Sequence, residues 1–258
     1  MFKKKSLGQH FLRSASALHK IAEAGRLSPE DTVLEVGPGE GVLTALLLAL
    51  AGKVVAVEKD DRLIPVLTQK FAREIAEGKL RLIHADILTL SPTNYLLLTP
   101  SYKVVANIPY YITGALIRKF LESERQPSAM VLLLQKEVAK RIVASDKKES
   151  ILSISVKAYG APRYIDTVKA GSFSPPPKVD SGIIAIEGIS KNFFEGISEQ
   201  IFFETLKKGF SHPRKLLSSN LRVTRETLIQ CDISATARAE NVSCEQWFAL
   251  ARGLNRCR

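Results

Sequence analysis

The sequence predicts an α/β fold followed by a small all-helical domain, and three observations carry that prediction. Short, wholly apolar runs alternate with helical patterns over the first two thirds of the chain. A glycine-rich turn joins the first such run to a helical one. After Gly188 the strand-like runs stop and helical patterns fill the rest. Strands that are apolar along their whole length need both faces covered, so the rhythm implies a parallel sheet between layers of helices.

The elements follow in order. "TVLEV" (Thr32 to Val36) is a strand, and "VLTALLLALAG" from Val42 is a buried helix after the glycine turn. "KVVAVE" (Lys53 to Glu58) is the second strand, and "DDRLIPVLTQKFAREIA" is a helix capped by Asp60 or Asp61. "LRLIHAD" (Leu80 to Asp86) and "KVVANI" (Lys103 to Ile108) are the third and fourth strands. "TGALIRKFLES" is helical with Thr113 as its cap, and "AMVLLLQ" (Ala129 to Gln135) is a strand running into the helix "KEVAKRIVA". "ILSISVKAYG" and "SGIIAIEG" are strand-like and flank "FSPPPKVD", where three prolines stiffen a segment that cannot be helix. "ISEQIFFETLKKGF" and "SCEQWFALARGL" are helical, and Pro213 is expected to begin a helix. The boundary falls near Gly188 to Gly196, giving domains over 1–190 and 191–258.

The 258 residues, 45% of them hydrophobic, suffice for a sizeable core. No apolar run approaches the length of a membrane span. The N-terminus lacks the long apolar region of a signal peptide, so a cytoplasmic location is expected. Three cysteines, Cys231, Cys244 and Cys257, are too few and too far apart for a zinc ribbon or a disulfide framework; they read as reduced thiols, and no metal site is expected. The 37 Lys+Arg residues against 26 Asp+Glu imply a polyanionic partner. Two stretches hold bases without acids. One precedes Glu23 and carries Lys3, Lys4, Lys5, Arg13 and Lys20; the other lies between Glu204 and Glu226 and carries Lys207, Lys208, Arg214, Lys215, Arg222 and Arg225.

"LEVGPGEGVLT" places Gly37, Gly39 and Gly41 between a strand and a helix, where glycine lets the backbone approach a ligand closely. The spacing is not the G-x-G-x-x-G of a pyrophosphate site. Glu35 and Glu40 flank the loop. Their charge is unwelcome beside a pyrophosphate and tolerable beside a sulfonium cation. Glu58, at the end of the second strand, is placed for ribose hydroxyls. Asp86, at the end of the third, is placed to accept from an adenine amine. Three such features at successive strand ends point to one crevice for an adenosine-containing cofactor, and the acidic loop favours S-adenosylmethionine over NAD.

Asn107, Ile108, Pro109 and Tyr110 stand at the end of the fourth strand, on the same edge. Pro109 holds Ile108 extended and donates no hydrogen bond. The Asn107 side-chain oxygen and the Ile108 carbonyl can then both point outward, two acceptors suited to a primary amine, with the Tyr110 ring for stacking a planar base.

With these motifs on the page, "EVGPGEG" with "NIPY" resembles the Rossmann-like adenine-N6 methyltransferases, and more narrowly the rRNA adenine dimethyltransferases of the KsgA type. The resemblance covers almost the whole chain: "KKKSLGQHFL", "LQKEVAKRIVA", "FSPPPKVDSGII", "GFSHPRKLLSSNL" and "RAENVSCEQWFALA" are similar to the family's further segments. It implies a Rossmann-like S-adenosylmethionine-dependent methyltransferase domain with a helical C-terminal domain that binds rRNA. It further implies a monomer that dimethylates two adjacent adenines in the 3′-terminal hairpin loop of small-subunit rRNA during subunit assembly. Within it, His10 and Leu12 of a cofactor-covering segment over 1–12, with Gly37, Gly39, Glu58, Asp86 and Asn107, would meet the cofactor. Asn107, Ile108, Pro109 and Tyr110 would hold the target base, with Phe173 on its opposite face. Lys207, Lys208, Arg214, Lys215 and Arg222 would grip RNA. The chain departs from the common pattern where His10 replaces Asn, where "NIPYYITG" replaces "NLPYNIS", and where "SHPRK" replaces a more arginine-rich stretch. A sister type acting on large-subunit rRNA, a non-catalytic nucleic-acid-binding factor on the same fold, and a dehydrogenase are the alternatives.

Overall fold

Aliphatic and β-branched runs between turn residues become strands, and the structure, a computed structural model, describes residues 10–91 and 101–256. In chain order the elements are β1 (Phe11–Leu12), α1 (Ala15–Ala24), β2 (Thr32–Val36), α2 (Val42–Leu50), β3 (Lys53–Glu58), α3 (Leu63–Lys70), α4 (Ala72–Ala76), β4 (Leu80–His84) and β5 (Lys103–Asn107). They continue with α5 (Thr113–Leu121), β6 (Ala129–Gln135), α6 (Lys136–Val143), α7 (Ile151–Lys157), β7 (Ala161–Val168), β8 (Phe173–Ser174) and β9 (Ser181–Glu187). The remaining helices are α8 (Glu199–Gly209), α9 (Leu217–Leu221), α10 (Arg225–Ile229) and α11 (Cys244–Arg256).

Two compact units emerge. The first holds the described residues up to Ala139 together with Arg163–Ile189; the second holds Lys140–Pro162 and the described residues from Ser190. The sequence reading left 140–162 in the first domain. The structure groups them with the C-terminal helices because α7 packs against α8 and buries Ile154 and Val156.

In the first unit a seven-stranded sheet has the order β4-β3-β2-β5-β6-β9-β7. The pairs from β4 through β6 are parallel. The expectation of a parallel sheet needs one correction, for β9 runs antiparallel to β6. The chain enters that strand from edge strand β7 through residues 169–180, which hold β8 and three prolines but no α-helix, the element that usually makes a parallel crossover. Ile21 of α1, Leu47 of α2 and Leu63 and Leu67 of α3 are buried in the core with β2 and β3.

Local chemistry corrects three further readings. "ILSISVKAYG" alternates like a strand but forms α7. Ser150 and Ser153 close a capping box, with Ser153 N–H donating to Ser150 Oγ at 3.1 Å and Ser150 N–H to Ser153 Oγ at 2.7 Å. Thr113 is the buried first residue of α5, not its cap, because a 3-10 turn over Tyr110–Ile112 precedes it. Pro213 lies in a turn between α8 and α9. Lys215 N–H donates to the His212 carbonyl at 3.0 Å, and buried Asn220 donates through Nδ2 to the carbonyls of Gly209 (2.6 Å) and His212 (3.0 Å). Neither cap alternative holds the N-cap of α3, which Arg62 occupies without a side-chain cap; Asp60 ties the turn before it, its side chain accepting from Arg62 N–H at 3.2 Å.

The second unit has an aromatic core. Phe193, Phe194 and Phe202 meet edge to face, and Trp247 is fully buried with Phe210 stacked on it at 5.6 Å. Gly209 has no side chain for a reason: a Cβ there would stand 2.2 Å from the Trp247 ring. Among the described residues no helix is long and apolar enough to cross a membrane.

Candidate active site

Parallel strands expose their carboxyl ends on one side, and the order β4-β3-β2-β5 sets four strand-end loops side by side. Between them lies a crevice enclosing about 1270 Å³, its open mouth included. It is lined by His10, Leu12, Glu35, Gly37, Gly39, Glu58, Asp86, Asn107, Ile108, Pro109, Tyr110 and Phe173. Every cofactor and target-base residue named from the sequence therefore lines one cavity of the first unit. The basic set does not: Lys207, Lys208, Arg214, Lys215 and Arg222 belong to the second unit.

Gly37 and Gly41 both have left-handed backbone, φ 71° and 74°. A Cβ on Gly37 would meet nothing within 4 Å, so its backbone faces open crevice; one on Gly41 would stand 2.5 Å from the Phe71 ring. Lys70 fastens the loop from outside, donating to the carbonyls of Glu40 (2.8 Å) and Gly41 (3.2 Å). Glu58 is buried and accepts from Gly39 N–H at 3.1 Å and Asp60 N–H at 2.8 Å. It thus braces the glycine loop besides facing the crevice. Burial raises its pKa, opposed by those backbone donors. Asp86 follows β4; its Oδ2 accepts from Lys59 at 2.7 Å and its Oδ1 from Leu88 N–H at 2.9 Å. The Lys59 ammonium holds its pKa below the ordinary carboxylate value.

Glu35 departs from this pattern. It stands on the central strand β2 in the crevice wall, is 1% exposed, and neither carboxylate oxygen completes a hydrogen bond among the described residues. Burial pushes its pKa to about 8. Its place beside the glycines was legible in the sequence; its burial without a partner was not.

The segment of His10 to Leu12 closes one side. β1 pairs with β8 so that Leu12 stands opposite Phe173, and Arg13 N–H donates to the Ser172 carbonyl at 2.8 Å. Arg13 also bridges Glu40 at 2.5 Å. His10 Nδ1 lies 2.8 Å from the Pro175 carbonyl, which can only accept, so the proton sits on Nδ1. Residues 1–9 of the cofactor-covering segment, with Lys3, Lys4 and Lys5, lie outside the described residues, as does Cys257.

At the opposite edge Asn107 Nδ2 donates to the His10 carbonyl at 3.2 Å. That bond fixes the amide and leaves Oδ1 without a donor among the described residues. Ile108 is pinned by its buried side chain and by N–H donation to the Leu133 carbonyl at 3.0 Å, while its own carbonyl accepts nothing among the described residues. Two free acceptors therefore sit on adjacent residues. The half-buried Tyr110 ring is anchored by a 2.8 Å hydrogen bond between its hydroxyl and the buried Ser181 hydroxyl. Ser181, Lys59 and Arg13 are supporting residues that the sequence reading missed. Only the fold brings Ser181, 71 positions away, beneath Tyr110.

In the second unit Lys207 and Lys208 end α8, Arg214 and Lys215 stand in the turn held by Asn220, and Arg222 caps α9. All five are exposed, and none makes an ion pair among the described residues.

The family profile for ribosomal RNA adenine dimethylase matches residues 1–256. The chain is 45% identical over 255 residues to ribosomal RNA small subunit methyltransferase A of Dehalococcoides mccartyi, covering 96% of this chain and 87% of that protein. It is 36% identical over 259 residues to the protein of the same name from Fusobacterium nucleatum, covering 96% of each. Among solved structures, a dimethyladenosine transferase from Plasmodium falciparum aligns with TM-score 0.82 at 26% identity, over 96% of this chain and 98% of that one. The 23S rRNA methyltransferase ErmE aligns with TM-score 0.79 at 27% identity, over 95% and 99%.

Proposed function

The chain belongs to the ribosomal RNA adenine dimethylase family, and from that premise we propose that it methylates the N6 amines of two adjacent adenines in the 3′-terminal hairpin loop of small-subunit rRNA. It draws the methyl groups from S-adenosylmethionine and works in the cytoplasm, as a monomer, on an assembling subunit. The observation that carries this reading is the pair of unengaged acceptors, Asn107 Oδ1 and the Ile108 carbonyl, at the edge of an acid-lined crevice.

The residues present suit the donor. A crevice with Glu58 and Asp86 in its wall disfavours a pyrophosphate and favours a cationic nucleoside. The open backbone face of Gly37 admits a ligand closely. Gly37 and Gly39 lie along it, Glu58 takes the ribose hydroxyls, Asp86 the adenine amine, and His10 and Leu12 cover it. Bound there, S-adenosylmethionine supplies an electrophilic methyl on a sulfonium.

The adenine amine is a weak nucleophile because its lone pair delocalises into the ring. Accepting from both N–H groups, Asn107 Oδ1 and the Ile108 carbonyl turn that lone pair out of the ring plane toward the donor. Tyr110 and Phe173 grip the two faces of the base, and Pro109 keeps the edge extended. The proton leaves after attack, so no strong base is required. Such positioning can contribute roughly 7–11 kcal/mol. A stacked base cannot reach this edge, so the adenine enters flipped or unpaired.

Transfer from labelled S-adenosylmethionine to unmethylated small subunits, with nucleoside analysis, tests the reading. Dimethyladenosine at adjacent positions is expected. The ErmE likeness supports large-subunit rRNA as the second substrate to try; label found only there would overturn the small-subunit assignment.

The exposed cations of the second unit supply the RNA grip. Reversing Arg214 and Lys215 to Glu should weaken subunit binding and flatten its salt dependence, by roughly 1.4–1.8 in log–log slope for two lost phosphate contacts. An unchanged slope would remove this turn from the interface. Arg222 holds left-handed backbone, φ 59°, at the end of α9. Arg222→Gly should therefore raise stability by about 0.5–1 kcal/mol while lowering RNA affinity. Denaturation and binding measured on one preparation separate the two effects.

A further inference from the structure

We propose that Tyr111 stacks on the nucleotide next to the flipped adenine and holds that neighbouring base at the crevice mouth while the adenine reacts. The inference rests on the reading of Asn107 to Tyr110 as the seat of the target base. Its ground is the placement of the two consecutive tyrosines in "NIPYYITG". The Tyr110 ring is half-buried, and its hydroxyl is tied to the Ser181 hydroxyl at 2.8 Å. Tyr111 is 61% exposed and carries the one exposed aromatic ring among the described residues. A single exposed ring needs no explanation by itself. This one lines the crevice beside the residues that face the target base.

The backbone beneath the ring is fixed. Ile112 N–H donates to the Pro109 carbonyl at 3.1 Å, and Thr113 N–H donates to the Tyr110 carbonyl. Thr113 is itself buried at the start of α5. In a 3-10 turn successive side chains diverge by a third of a turn. The turn that sends Tyr110 inward to Ser181 therefore sends Tyr111 outward, toward a base outside the pocket. A base leaving its stack strips its neighbour of one stacking partner. An aromatic side chain can replace that partner, whichever base it is, because every base has a π-face. Two rings on adjacent residues thus suit two adjacent nucleotides, one inside the crevice and one at its mouth. Lys59 lines the same rim; it is exposed, although paired with Asp86, and stands near enough to Tyr111 for their charges to interact. It gives the rim a cation for the strand's backbone. The substrate is a pair of adjacent adenines, so for one of the two the base held by Tyr111 is its own partner.

The target lies near the 3′ end, so small-subunit rRNA can be completed by ligation of a synthetic oligonucleotide and rebuilt into subunits. On the unaltered adenine pair, Tyr111→Ala should lower kcat/KM by roughly 5–150-fold, the range of one base–aromatic stack. Tyr111→Phe should stay near the wild type, and Tyr111→Leu should fall nearly as far as the alanine variant. Further subunits carry one target adenine with an abasic site on its 5′ or its 3′ side. With one of these two the wild type should drop to the level of Tyr111→Ala, and the substitution should then cost nothing more. That side is the one Tyr111 covers. A cost of the same size with either abasic site overturns the proposal, as does no cost on the unaltered pair. Calorimetric affinity for S-adenosylmethionine should be unchanged in all three variants; a parallel fall would make Tyr111 a cover over the donor and overturn the proposal. Should Tyr111→Ala not fold, the phenylalanine and leucine variants decide by the same measurements. If the wild type leaves every small subunit unmethylated, the functional reading fails and this inference with it.

Discussion

Asn107→Ala is expected to lower the rate of methyl transfer by about 10²–10³-fold, the loss typical of removing one preorganised hydrogen-bonding group from a reacting centre. The variant deletes Oδ1, one of two acceptors available to the amine, and it leaves the Ile108 carbonyl in place. Ile108 is buried and tied to Leu133 independently of Asn107. It also deletes the 3.2 Å bond from Nδ2 to the His10 carbonyl. Cofactor affinity should therefore fall, by less than tenfold, through loosening of one strap. Asn107→Asp keeps an acceptor but cannot donate to His10, so its rate should lie between those of the wild type and the alanine variant. Single-turnover rates with subunits and donor both saturating separate chemistry from binding. A near-normal single-turnover rate in Asn107→Ala would remove Asn107 from the amine-holding edge.

Between pH 5 and 8, without ligand, the wild type should lose stability relative to Glu35→Gln by on the order of 4 kcal/mol. The sign follows from the direction of the shift. Burial raises the folded-state pKa from 4.5 to about 8. Below 4.5 the acid is protonated in both folded and unfolded chains and contributes no difference. Above 4.5 the unfolded chain ionises freely while the folded one keeps its proton, so stability drains away as pH rises, and it levels off above 8. Glutamine cannot ionise and lacks this slope. Urea denaturation of both proteins at pH 5, 6, 7 and 8 yields the difference curve. Parallel curves across that range would mean that Glu35 finds a partner in solution.

Much of the site was readable because its chemistry is local. Glycines between a strand and a helix, acids at strand ends and the Asn-Ile-Pro-Tyr edge each depend on neighbours in sequence, and the parallel strands align them. Features set by distant residues were not readable. Pairing of β1 with β8 takes two residues from each strand, too few for any periodicity. The Tyr110 anchor, Ser181, lies on β9, whose reversed direction depends on how the chain returns from β7. Serines at 153 and 155 make α7 alternate like a strand, yet Ser153 joins Ser150 in capping a helix. Glu35 shows the same limit, since one acid in an apolar strand says nothing of whether water reaches it.

The discontinuous course of the chain bears on how the protein can be taken apart. The backbone passes between the two units after Ala139, Pro162 and Ile189. A fragment ending at Ile189 would carry Lys140–Pro162 away from the helices that bury Ile154, Val156 and Tyr159. The complementary fragment would lack Tyr159, which donates to Glu199 at 2.6 Å. Each half would bear a sticky apolar scar. Clean excision of the catalytic half requires three cuts and a splice, with Ala139 linked directly toward Arg163, so a recombinant truncation at the apparent linker should precipitate where the spliced version stays in solution.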